Sequence, residues 1–271
     1  MAMHAQRIGF IGGGNMAEAL LKGITAGLFP AENTWVAEPR AEQRLALRER
    51  YGVRVGDDNA EVVRQCEVLV LAIKPQLVKD VLAPLAAAFG ADKLLISILA
   101  GVSTTALEAV LGGAPRVVRA MPNTPALVGA AATALCAGRH AAEEDLRLSE
   151  ALFASLGIVR RVAEKDMDAV TGLSGSGPAY VYTFIEALAD GGVQQGLARD
   201  VALTLAAQTV LGAARLVVES AEHPAVLRDR VCSPGGTTIA GVAALEEGRL
   251  RATLMEAVAR ATRRSKELGG S

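Results

Sequence analysis

Aromatic residues are scarce, with Phe, Trp and Tyr making up 3% of the 271-residue chain. A surface that stacks nucleic-acid bases needs such rings, so the scarcity argues against a nucleic-acid partner. Neither sign of charge is in excess, with 28 Lys and Arg against 29 Asp and Glu. No broad positive field is therefore available to hold a phosphate backbone or an anionic membrane. The three cysteines, Cys66, Cys136 and Cys232, have no CxxC spacing and no histidine cluster beside them. That disfavours a disulfide framework and a structural zinc site, and favours a reducing compartment. The opening MAMHAQRIGFIGGG meets a strand and glycines too soon for a signal peptide. The stretch VALTLAAQTVLGAA at 201–214 is shorter than the ~20 apolar residues of a membrane span. A cytoplasmic protein without a membrane partner is expected.

What is present falls into two halves with different periodicity. Up to about Val162, short β-like runs alternate with helical patterns. RIGFI, TWVAE, VLVLAI, LLISIL and RVVRA are compact, and several are apolar on both faces. Parallel strands covered by helices on each side have that character. Between them lie the helix candidates NMAEALLKGITAG, AEQRLALRER and QLVKDVLAPLAAAF, a pattern that predicts a doubly wound sheet. TALCAG and GIVRRV read as further strands near the sheet edge, around the helix EEDLRLSEALFASL. After Lys165 the strand signal disappears and four helical segments follow. The predicted fold is α/β: residues 1–164 form a doubly wound dinucleotide-binding domain, and residues 165–271 an all-α domain. The segment 201–214 is apolar nearly all round, so it must be buried on most sides. About 105 residues of helix provide little cover, which predicts an obligate homo-oligomer.

RIGFIGGGNMAEAL sets Gly12, Gly14 and Ala17 in the G-x-G-x-x-A pattern at a strand–turn–helix junction. There the free N–H groups of the helix start face a pyrophosphate, Gly12 permits the tight turn and Gly14 lets the backbone approach. Glu38 ends the second strand, where a carboxylate accepts the ribose 2′-hydroxyl of NAD. Arg40, with Arg44 behind it, offers an alternative site for the 2′-phosphate of NADP, and the sequence leaves NADH and NADPH both open. Lys74-Pro75 and the AMPNTPALVG loop follow later strands at the same edge, where ligands bind such sheets.

Five segments are then specific: FIGGGNMAEAL, AIKPQ, RAMPNTPALV, TGLSGSGPAY and CSPGGTTIAG. On these the chain resembles pyrroline-5-carboxylate reductase over essentially its whole length. The resemblance implies a Rossmann domain followed by a helical domain that dimerises and binds substrate. It implies reduction of 1-pyrroline-5-carboxylate to proline by NADPH or NADH, in a homodimer or a higher oligomer such as a decamer. By the same resemblance Gly12, Gly14, Asn15 and Met16 touch the cofactor phosphates and Asn59 its adenosine side. Ala72, Lys74 and Pro75 line the nicotinamide ribose, and Met121 and Asn123 lie near the nicotinamide. Ser233, Gly236, Thr237 and Thr238 bind the substrate.

The helix start at Thr237 suits a carboxylate, because its first N–H groups have no intrahelical partners. Ser233 or Thr237 capping that helix is the simpler alternative. LSGSGPAY reads as a second exposed helix start, with Ser176 a candidate substrate contact. No strong acid or base stands nearby, and a protonated imine carbon needs none; Thr238 is the candidate for orienting the ring nitrogen. His4, His140 and His223 read as surface or capping residues. Two other functions fit a dinucleotide domain: a β-hydroxyacid dehydrogenase, which needs a lysine base, and a non-catalytic redox sensor. Lys165 is the only lysine near the domain junction.

Overall fold

The computed structural model describes residues 6–269. Eight strands form one sheet: β1 (Ile8–Ile11), β2 (Thr34–Ala37), β3 (Arg54–Gly56), β4 (Val68–Leu71), β5 (Leu94–Ser97), β6 (Arg116–Met121), β7 (Ala131–Ala137) and β8 (Gly157–Arg161). Their spatial order is β3-β2-β1-β4-β5-β6-β7-β8. The helices between them are α1 (Asn15–Thr25), α2 (Ala41–Tyr51), α3 (Asn59–Gln65), α4 (Val78–Leu82), α5 (Thr104–Leu111) and α6 (Glu143–Ala154). The first six strands run parallel, giving the Rossmann-like sheet expected from the alternation. β7 reverses direction against β6, and β8 then lies parallel to β7. The predicted helix QLVKDVLAPLAAAF is broken into a 3₁₀ turn, the short α4 and a second 3₁₀ stretch from Ala83 to Ala88. Pro84 accounts for the second break, since it has no N–H to donate.

Side chains of consecutive strand residues divide between two cores. Ile8, Phe10, Val68, Val70, Leu94 and Ile96 pack with Leu20 and Leu21 of α1, Leu47 of α2 and Phe153 of α6. Ile11, Leu69, Leu71 and Leu95 pack on the other face with Val62 and Val63 of α3, Leu82 of α4 and Leu107 of α5. The period-2 alternation of a strand explains the split, and it requires both faces to be apolar.

An ion pair with a buried arginine sits on β6, inside this sheet. The Arg119 guanidinium on β6 donates from Nη1 to Glu164 Oε1 at 2.7 Å, and the Arg119 side chain is 4% exposed. Glu164 Oε2 accepts from the Thr104 N–H and from Cys136 Sγ. Burial alone would raise the Glu164 carboxyl, but the bonds from Arg119, Thr104 and Cys136 outweigh it and leave the group below its ordinary value. Burial, with Glu164 beside it, pushes the Cys136 thiol up to about 12.

The remaining helices are α7 (Met167–Val170), α8 (Gly177–Gln194), α9 (Arg199–Ser220), α10 (Pro224–Arg230), α11 (Thr237–Glu247) and α12 (Leu250–Gly269). By packing the chain separates into two compact units. One runs to Ser176 and includes the residues from Arg260 onward; the other is Gly177–Ala259. The second unit has a small core of Ala189, Ala202 and Ala206, with Ile185 and Val193 packed against it. Leu203, Leu205, Leu211, Leu216 and Val218 of α9 are exposed. At 22 residues α9 is longer than the apolar run suggests, and by length and composition it could cross a membrane. The burial expected of α9 is thus not supplied within its own unit, where few of its residues are covered.

Two outcomes follow. Glu164→Ala should lower stability in urea unfolding by about 3 kcal/mol, because buried Arg119 loses its hydrogen-bonded carboxylate and keeps only Asp168 at 3.9 Å. Since the Glu164 pKa is depressed, its contribution is complete above the ordinary value of about 4.5 and is lost as pH falls through the lowered value. That part of the acid loss should vanish in the variant. Leu205→Glu should shift wild-type oligomers toward monomer in sedimentation without detergent, because a charge replaces an apolar contact.

Candidate active site

The loop after β1 is fixed by its backbone. Gly12 has φ +99°, and its N–H donates to the Ala37 carbonyl of β2 at 2.8 Å. A Cβ on Gly12 would lie 2.5 Å from the Ala72 carbonyl oxygen just beyond β4, so a side chain is excluded on both counts. Gly13 is also enclosed: a Cβ there would lie 2.8 Å from the Leu47 side chain and 3.2 Å from that of Glu38. Gly14 differs. A Cβ on it would meet nothing within 4 Å, so the space before it is open. Gly14 is the N-cap of α1, and no side chain caps the helix. Open space before an uncapped helix of 11 residues is a cradle that fits a dinucleotide pyrophosphate. Asn15 is exposed at its entrance, while Met16 packs partly against the core.

Glu38 is 4% exposed at the end of β2. Its Oε2 accepts the Gly13 N–H at 3.0 Å; its Oε1 accepts the Arg40 N–H at 3.1 Å and Arg40 Nε at 2.8 Å. Burial opposes the charge, but these donors prevail and hold the carboxyl below its ordinary value. Gln43 Nε2 donates to the Gly13 carbonyl at 2.8 Å, bracing the loop from α2. Sequence reasoning missed the roles of Gly13 and Gln43; the glycine between Gly12 and Gly14 was the available signal. Asn59 is half-buried at the start of α3, beside the Asp58 cap.

Ala72 is half-buried and bonded to β1 through Ile11, whereas Lys74 and Pro75 are exposed at the start of a 3₁₀ turn. Met121 and Asn123 are buried. The Asn123 amide is engaged at both ends: Oδ1 accepts the Ala132 N–H and Nδ2 donates to the Ser174 carbonyl, each at 3.0 Å. Asn123 therefore ties the Pro-rich loop to the segment 171–175.

That segment corrects one expectation. LSGSGPAY is not an open helix start: Thr171–Gly175 is a π-helical turn, and the Ser176 N–H donates to the Thr171 carbonyl at 2.9 Å. Helical structure precedes Ser176, so its N–H is not an orphan donor. In the second unit the outcome is the reverse. α11 begins after Gly236 with no side-chain cap, which removes the reading in which Ser233 or Thr237 caps its own helix. Gly235 has φ +66°, and a Cβ on Gly236 would overlap Ser233 Oγ. Ser233, Thr237 and Thr238 are exposed. His223 caps α10, accepting the Ala225 N–H at Nδ1; His4 lies outside the described residues. Among the described residues no group of three His, Cys, Asp or Glu could hold a metal.

The glycines of the loop make separable predictions. Gly12→Ala should both destabilise the fold and abolish dinucleotide binding. Gly14→Ala should fold with nearly wild-type Tm yet lose about tenfold in affinity, read by fluorescence of the reduced nicotinamide, because its methyl projects into the cradle.

Residues 164–268 match a family model described as pyrroline-5-carboxylate reductase dimerisation, and residues 7–101 match one described as NADP oxidoreductase coenzyme F420-dependent. A pyrroline-5-carboxylate reductase of Methanosarcina acetivorans is 48% identical over 98% of this chain and 99% of its own. One from Synechocystis is 52% identical over 97% and 98%. The crystal structure of Plasmodium falciparum pyrroline carboxylate reductase with NADP bound superposes with a TM-score of 0.89 at 36% identity, covering 98% of this chain and 99% of that one. The helical region is thus of a self-associating type, and the chain belongs to the pyrroline-5-carboxylate reductase family.

Proposed function

We propose that the chain reduces 1-pyrroline-5-carboxylate to L-proline with NADPH or NADH, the last step of proline biosynthesis. Residues 1–164 carry the dinucleotide, with Gly12, Gly14, Asn15 and Met16 at its phosphates, Glu38, Arg40 and Asn59 on the adenosine side, and Ala72, Lys74, Pro75, Met121 and Asn123 toward the nicotinamide. Residues 165–271 serve dimerisation and substrate binding. A homodimer, able to build a higher oligomer such as a decamer, covers the apolar surface of α9, and the protein works in the cytoplasm without a membrane.

The observation that carries this reading is the uncapped start of α11 behind the SPGG turn. Bare N–H groups there donate to the substrate carboxylate, and the helix dipole contributes about 0.3–1 kcal/mol. Ser233 supplies a hydroxyl to the same ligand, and a charge-assisted hydrogen bond contributes about 1.5–3 kcal/mol. Gly236 admits the ligand to the main chain. A bound reduced nicotinamide supplies the hydride to the imine carbon. Thr238, exposed in the first turn of α11, holds the ring nitrogen in line, and the nitrogen keeps the proton it already carries. The chain's work is orientation, so no strong acid or base is needed.

The test mixes protein, reduced nucleotide and imine and follows nicotinamide absorbance. Oxidation dependent on the imine, with proline as product, is expected; a flat trace with nucleotide bound would overturn the assignment. Thr238→Ala should lower kcat about a hundredfold, the scale of a misplaced reactant, while nucleotide Kd is unchanged.

A further inference from the structure

We propose that Glu38 makes this chain select NADH over NADPH. The inference rests on the dinucleotide reading above and sharpens it by naming the nucleotide.

The first argument is a count of donors and acceptors. An ionised carboxylate offers about four acceptor positions and no donor. Three at Glu38 are taken, by the Gly13 N–H, the Arg40 N–H and Arg40 Nε. What is left, on Oε2 beside Gly13, is acceptor capacity. A ribose 2′-hydroxyl can donate to it, whereas a 2′-phosphate brings acceptors and negative charge.

The second argument is rigidity. Glu38 is 4% exposed, and its stem packs beside Gly13, where even a Cβ would lie 3.2 Å from it. Gln43 holds the opposite side of Gly13 through its carbonyl. Turning the carboxylate away from an incoming phosphate would break the bond that fixes the glycine loop, so the same movement would damage the pyrophosphate cradle.

The third argument is the balance of charge. A phosphate site needs surplus cation. Arg40 lies on Glu38 at 2.8 Å, and Arg44 donates to the carbonyls of Glu38 and Pro39 and lies 3.7 Å from Asp57. Two cations thus face two carboxylates. If the Arg40 side chain moved to a 2′-phosphate, Glu38 would lose its one charged donor beside a new anion.

The test needs no imine. Binding is read from the fluorescence of the reduced nicotinamide itself. Wild type, Glu38→Ser, Glu38→Gln and Arg40→Ala are titrated with NADH and with NADPH. Wild type should bind NADH at least about tenfold more tightly, since juxtaposed like charges oppose the phosphate. Glu38→Ser should shift the ratio toward NADPH by at least about tenfold, and Glu38→Gln, which keeps the shape, should shift it the same way. Arg40→Ala should not weaken NADPH selectively. Tighter NADPH binding by wild type would overturn the inference whether or not any variant folds. So would an unchanged ratio in folded Glu38 variants, or selective loss of NADPH in Arg40→Ala, which would assign Arg40 to the phosphate. Failure of both nucleotides to bind would sink the dinucleotide reading as well. Preference for NADH in a protein that leaves the imine unreduced would support Glu38 and overturn only the substrate.

Discussion

The contact between the glycine loop and the end of β4 governs the first unit. β1 lies between β2 and β4, and the chain leaving it must pass both neighbours. Gly12 bonds to the Ala37 carbonyl on one side and leaves room only for a hydrogen atom toward the Ala72 carbonyl on the other. That passage aims α1 so that its uncapped end faces open space. Glu38 and Gln43 then hold Gly13 from two directions. Removing the tight passage would leave a helix start pointing elsewhere, and the carboxylate would have no loop to brace. The open helix start and the seat of the Glu38 carboxylate are consequences of one backbone constraint.

The second unit solves a similar problem with less interior. Its core is three alanines and two partly buried aliphatics, while α9 leaves leucines uncovered along its length. A small residue at each buried position lets α8 and α9 approach closely but removes little apolar area from water. Residues 164–268 match a family model described by its dimerisation. An open start of α11 on such a unit is set by the sharp SPGG turn: Gly235 takes a left-handed conformation, and the missing Cβ of Gly236 makes room for Ser233 Oγ. The hydroxyl that might have capped the helix is thereby not bonded to it.

Much of this was legible in the chain. Strand positions followed from runs that are apolar on both faces, and α1 and α2 from their period. The glycine pattern located the uncapped start of α1, and VCSPGGTTIAG located the second turn. β3 escaped because Arg54–Gly56 is three residues long, at the sheet edge, with an exposed arginine and a glycine in place of an alternating pattern. α3, α5 and α10 have seven or eight residues each, too few for a helical period to emerge. LSGSGPAY reads as an exposed helix start at Pro178, since Gly, Ser and Pro also mark helix N-termini, but the π-helical turn Thr171–Gly175 leads into it.

The sequence by itself determined local commitments: where strands alternate, where glycine is required, where a helix begins, and that α9 is too apolar to remain in water. These depend on residues near one another along the chain. Tertiary structure alone decided that β7 runs against β6, that Asn123 joins two distant segments, and that Arg119 is neutralised by Glu164. It also decided that Glu38 bonds to Gly13, 25 positions before it. A carboxylate in a sequence can face solvent, an arginine or a ribose; only the position of the donors around it fixes which, and those donors come from separate elements brought together by the sheet.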